Sequence, residues 1–239
     1  MLVMVRTERS AMPRFLMLRL DGPMQAWGTH TYEDFRPSNG FPTRSGLLGL
    51  LGACLGLERR NYHALEHLAQ SLAFTVRVDR QVIRPGTEKP RAKNMLKQRD
   101  FHTVLDARKV DGSVNKNPVV SHREYLYDAA FTVAVEEKPG AAYSLDRLVQ
   151  ALRRPVYTPV LGRRSCPLAR PLLDGESWIE AADAKAALSQ IPPGRGLIYA
   201  EGETLANTQP LPIRDVPMHS HHRMFSVRQV YIYAPEGEE

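Results

Sequence analysis

Between an alternating strand pattern at Ala73 to Val82 and the next strand-like run at Tyr125 to Glu136 lies a long stretch that no hydrophobic core can absorb. Residues 84–121 carry Pro85, Gly86, Pro90, Gly112, Asn115, Asn117 and Pro118 and show little sustained apolar periodicity. A structureless loop of this length inside a compact domain is a functional excursion or is disordered. The segment is also strongly basic. Residues 84–123 hold ten Lys/Arg against four Asp/Glu, so their net of +6 equals that of the whole 239-residue chain. Any fold for this sequence must be a core interrupted by a basic excursion, here expected to contain a hairpin.

The flanking segments supply the core. Arg14 to Leu20 is a short apolar run ended by Asp21-Gly22-Pro23, the pattern of a buried strand and a turn. Phe41-Pro-Thr-Arg-Ser45 leads into Gly46 to Gly56, where leucines 47, 48, 51 and 55 recur at helical spacing behind Thr43 or Ser45 as N-cap. A second helix is expected over Tyr62 to Gln70, and a third over Leu145 to Leu152 capped by Ser144. Beyond Cys166 the pattern predicts a small helix near Asp183 to Leu188 and strands near Gly196 to Glu201 and Met224 to Tyr233. The order β-α-(α)-β-insertion-β-α matches a ferredoxin-like βαββαβ plan, with the insertion between its second and third strands. The expected class is therefore α+β, with residues 1–13 a loosely ordered extension, 14–165 the core with its insertion at about 84–121, and 166–239 a small β-rich extension packed on the core.

Several function classes find no support. The apolar run Gly46 to Leu57 is twelve residues with four glycines, whereas a bilayer-spanning helix needs about twenty. Arg6 and Arg9 are not followed by an apolar stretch of the secretory type. Two cysteines, Cys54 and Cys166, are too few for a disulfide framework, and no Cys-x-x-Cys is present; a reducing cytoplasm is the default. Cys54 reads as a small core residue, and the arginines before Cys166 are expected to lower its pKa. His219, His221 and His222 have no carboxylate or cysteine at zinc-like spacing and read as a polar surface loop. No cofactor or metal is implied.

The basic residues comprise 25 Arg and 7 Lys. Arginine suits forked phosphate contacts and stacking on bases, so the charge pattern points to nucleic acid, although a solvated basic surface gives the same composition. Three local features refine this. In Gly22-Pro-Met-Gln-Ala-Trp-Gly28 the amide of Gln25 can bond a base edge and Trp27 can stack on one, or the Trp can plug the core. At Arg36 to Ser45 a helix N-terminus with Arg44 and Ser45 can receive a phosphate, or can be an ordinary capped helix. No Gly-Lys-Ser/Thr follows to make a nucleotide-hydrolysing loop. Gly162-Arg163-Arg164 allows close approach to a nucleic-acid backbone. His102, His122 and Tyr125 are candidates for an acid–base pair that cuts RNA, on the strength of proximity alone.

Five segments in order resemble the CasD family of type I-E Cascade, a CRISPR surveillance complex. They are Gly22 to Gly28, Phe41 to Gly56, His102-Thr-Val-Leu105, Arg123-Glu-Tyr-Leu126 and Tyr157 to Leu168, the last containing Gly-Arg-Arg-Ser-Cys-Pro. The resemblance covers about Arg14 to Tyr233. It implies an RRM-like domain of the RAMP group, a non-catalytic subunit that caps the 5′ repeat-derived handle of crRNA. It also implies a thumb-like insertion against the backbone subunit CasC, the large subunit CasA nearby, and target DNA reached through the assembled complex. By position it implies a handle site of Gln25, Trp27, Arg44, Ser45, Arg163 and Arg164. Arg99, His102 and Arg108 fall in the thumb, with Arg123 beside it. A sister subfamily in type I-C systems cleaves precursor crRNA, so a metal-independent endoribonuclease is the alternative expectation.

Overall fold

Strand β1 (Arg14–Asp21) shows why its sequence lacks polar alternation. Leu16, Leu18 and Leu20 enter a large core on one face of the sheet, while Phe15 and Met17 enter a smaller one on the other. Successive side chains of a strand point to opposite faces, so a strand covered on both sides must be apolar throughout. The computed structural model describes residues 12–79, 81–83, 91–93, 95–175, 178–192, 196–202, 210–220 and 224–234. Residues 84–90, the N-terminal residues 1–11, and His221 and His222 lie outside the described residues.

After β1 come four two-residue strands, β2 (Met24–Gln25), β3 (Trp27–Gly28), β4 (Phe35–Arg36) and β5 (Ser38–Asn39). Helices α1 (Arg44–Cys54) and α2 (Tyr62–Ser71) lead to β6 (Leu72–Asp79). The excursion holds β7 (Gln81–Ile83), β8 (Arg91–Lys93), β9 (Leu96–Val104) and β10 (Val119–Tyr127). The chain returns through β11 (Ala130–Glu137) and α3 (Leu145–Arg153), then β12 (Trp178–Glu180), α4 (Ala184–Ser189), β13 (Ile198–Glu201), β14 (Pro210–Met218) and β15 (Met224–Tyr233).

The result is a mixed α/β protein, mostly sheet. Seven strands run in the order β12-β1-β11-β6-β13-β15-β14, with antiparallel neighbours throughout. Helices α1, α2 and α3 bury leucines against one face, and α4 seats Ala187 and Leu188 against the other. Buried Arg77 ties α4 down: its guanidinium binds the Leu188 carbonyl and pairs with Asp79 at 2.7 Å. Thr43 caps α1, accepting from the Gly46 amide, and Ser144 caps α3 in the same way.

One expectation changes. The run from Tyr125 to Glu136 is not one strand: Asp128 takes a positive φ of 57° and breaks it. β10 therefore pairs along its whole length with β9, forming a hairpin in a second sheet with β2 and β4. The chain beyond 165 contributes to the main sheet through β12, which pairs with β1, and β13, which pairs with β6. Both ends of the main sheet are built from it.

Candidate nucleic-acid interface

The loop that follows β1 is held by its own side chains. Gln25 is fully buried: its amide donates to the carbonyls of Leu20 (3.1 Å) and Ala129 (2.8 Å), and accepts from the Trp27 indole N–H at 3.0 Å. Trp27 is equally buried, its ring against Gly46 of α1. Gln25 has no free edge for a base, so the expectation that it touches RNA is corrected; Trp27 is buried as well but borders the cleft described below. Their work is to fix the loop that carries Gly28 to Thr31.

Arg44 is corrected as well. It is 6% exposed; its guanidinium binds Glu201 and the carbonyls of Ala69 (2.6 Å) and Leu72 (3.1 Å). Its amide donates to the Asp215 carboxylate at 2.7 Å. A carboxylate already occupies the place at the helix N-terminus where a phosphate was expected. Ser45 alone of that pair stays half-exposed, facing a cleft.

That cleft, about 790 Å³, lies between the 28–31 loop, the first turns of α1, and the 160–163 loop, with β10, β14 and β15 closing it. Four arginines, 36, 123, 163 and 214, line it with His30, and no carboxylate does so among the described residues. Each arginine arrives by a different route. Arg36 and Arg123 are neighbours across the parallel β4–β10 pairing, which puts them on one face. Arg123 is steadied by Ser121 (Nε to Oγ, 3.0 Å). Arg163 donates to the carbonyls of Glu124 and Arg36, both at 3.0 Å, and lies 4.8 Å over the Tyr125 ring. Arg214 projects from β14 next to a bulge. Gly162 makes the corner possible. Its φ is +91°, and a Cβ there would stand 1.8 Å from the Ala26 carbonyl oxygen.

Arg164 is exposed and has no hydrogen bond or ion pair among the described residues. Arg99, His102 and Arg108 lie on the β9–β10 hairpin and its loop and do not line the cleft. Arg99 covers the Phe35 ring at 4.5 Å, and Arg108 bonds the Gly112 carbonyl at 3.1 Å. His102 sits between Asp100 (3.0 Å) and the Tyr125 hydroxyl (3.2 Å). Its register partner is Ser121, whereas His122 pairs with Phe101, so the two histidines project from opposite faces of the hairpin. They cannot meet over one phosphate. Tyr125, also a candidate for that chemistry, is 2% exposed.

Cys166 is fully buried, and burial pushes its thiol above the ordinary value despite the opposing hydrogen bond from Ser165 and the charge of Arg163. This reverses the expected lowering. His219 faces an apolar groove beside α1, and burial lowers its pKa. No helix among the described residues is long and apolar enough to cross a membrane. Sequence reasoning did not name Arg36 or Arg214 among its candidates, although both line the cleft. Arg36 opened a segment already singled out, but Arg214 stands among prolines and carries no local signal.

Comparison with known proteins adds the following. The family model described as CRISPR-associated protein (Cas_Cas5) matches residues 15–231. The chain is 43% identical over 222 residues to the CRISPR system Cascade subunit CasD of Escherichia coli strain K12, spanning 92% of this chain and 96% of that protein. Among solved structures, a chain of a CRISPR RNA-guided surveillance complex superposes with a TM-score of 0.66 at 30% identity, covering 92% of this chain and 89% of that one. The crystal structure of a Cas protein gives 0.59 at 26% identity, covering 93% and 98%. The chain belongs to the Cas5 family of CRISPR-associated proteins.

Proposed function

We propose that this chain is the subunit of a type I-E Cascade complex that holds the 5′ repeat-derived handle of crRNA. The observation that carries the reading is the cleft in which four arginines from four parts of the chain converge, with no carboxylate among the described residues on its walls. Guanidinium groups fork onto phosphate oxygens, and the half-apolar floor of Gly46, Gly49 and Leu50 leaves room for a splayed base. The strand order β12-β1-β11-β6 with crossing helices supports a ferredoxin-like core of the RRM type. Similarity to a Cascade subunit and to a chain of a surveillance complex supports assembly with CasC and CasA, and access to target DNA through the complex. The β9–β10 hairpin is the proposed thumb.

Fluorescence anisotropy with a labelled handle RNA tests this. With about four phosphates contacted, log K falls against log salt with a slope of roughly −3. Charge reversal at Arg123 flattens the slope, and an unchanged slope counts against the cleft. Incubating the protein with its repeat RNA tests the endoribonuclease alternative. Site-specific, metal-independent cleavage abolished by His102→Ala or His122→Ala would overturn the non-catalytic reading.

A further inference from the structure

We infer that Asp215 is a positioning residue for RNA binding: buried behind the cleft wall, it holds Arg214 in place to meet a phosphate. The inference rests on the reading of the cleft as the RNA site.

The register of β14 against β15 runs regularly to Arg214↔Val227 and resumes at Val216↔Ser226, which leaves Asp215 as the extra residue of a bulge. Bulges re-aim side chains beside functional sites. Here the bulge turns Asp215 inward, where it is 2% exposed, while Arg214 stays exposed and lines the cleft. The buried carboxylate is fully engaged. Oδ1 accepts from Arg228 Nε at 2.6 Å, and Oδ2 accepts from Arg228 at 2.7 Å and from the Arg44 amide at 2.7 Å. Arg228 reaches on to Glu201 at 3.1 Å, and Glu201 binds Arg44.

Two cations and two anions thus close a ring joining α1, β13, β14 and β15. The ring is neutral, so it neither repels phosphate nor draws it away from the cleft arginines. It has two consequences for RNA. Two of the donors at the start of α1 are occupied, Arg44 N by Asp215 and Gly46 N by Thr43. Arg214 is carried on a strand segment whose neighbour is pinned by ionic hydrogen bonds, which limits the entropy lost when its side chain meets a phosphate.

The test is a double-mutant cycle on the full chain with the handle RNA: wild type, Arg214→Ala, Asp215→Asn, and both. Arg214→Ala is expected to weaken binding on the order of tenfold and to reduce the salt slope by about 0.7. Asp215→Asn is expected to weaken binding in the wild-type background and to have almost no effect once Arg214 is gone. Measurements at a temperature where circular dichroism shows each variant folded keep stability out of the comparison. Arg228→Lys, which keeps the charge but loses the fork, is expected to follow Asp215→Asn. An equal loss from Asp215→Asn in both backgrounds, alongside a loss with Arg123→Ala, overturns the inference and leaves the cleft reading standing. No loss with either Arg123→Ala or Arg214→Ala overturns the cleft reading itself.

Discussion

The indole of Trp27 lies so close over Gly46 that a Cβ on that glycine would stand 2.7 Å from its Cε3. The first turn of α1 thus docks on the loop after β1 because position 46 has no side chain. Gly46→Ala forces the ring or the helix to move, which typically costs about 1–3 kcal/mol. Urea unfolding of the variant is expected to show a lower midpoint, and an unchanged midpoint would mean that the loop yields freely.

Gly49, one turn further on, is expected to behave in the opposite way. A Cβ there meets no atom of the described residues within 4 Å, and alanine is favoured over glycine inside a helix by about 0.8–1 kcal/mol. Gly49→Ala is expected to raise Tm in the free protein. Because Gly49 lines the arginine cleft, the same substitution is expected to weaken handle binding. Stability up and affinity down is the signature to look for in paired thermal and anisotropy measurements.

The two adjacent arginines part company. Arg164→Glu is expected to weaken RNA binding with Tm unchanged, since Arg164 has no partner among the described residues. Arg163→Glu is expected to lower both, because it discards two carbonyl contacts and the stack on Tyr125. Equal Tm values for the two variants would contradict the observed anchoring.

Burial pushes the Cys54 thiol from 9.0 to about 11. A folded-state value above the unfolded one means stability is fully present below about pH 9 and is lost as pH rises through 11. The loss is about 2–3 kcal/mol. Denaturant midpoints at pH 8 and 11 check the sign. At pH 8, native protein is expected to react with a thiol reagent far more slowly than unfolded protein.

Much of the scaffold was legible from local chemistry. Helices α1, α2 and α3 fall where leucine spacing and the caps at Thr43 and Ser144 place them, and β15 spans the expected Met224 to Tyr233. β14 was not seen because Pro210, Pro212 and Pro217 argue against a strand. It escapes that penalty by lying at the edge of the sheet, where amides need not pair.

What the sequence by itself determined is a helix-covered sheet, a basic excursion and an arginine excess suited to RNA, because propensity, capping and charge are local properties. Which polar residues line the cleft was decided only by the tertiary structure. Gln25, Trp27 and Arg44 look like contacts in isolation, yet the carbonyls and carboxylates that neutralise them come from residues up to 171 positions away. Arg36, Arg123, Arg163 and Arg214 become one site because sheet pairing and a single bulge bring four distant segments around one cleft.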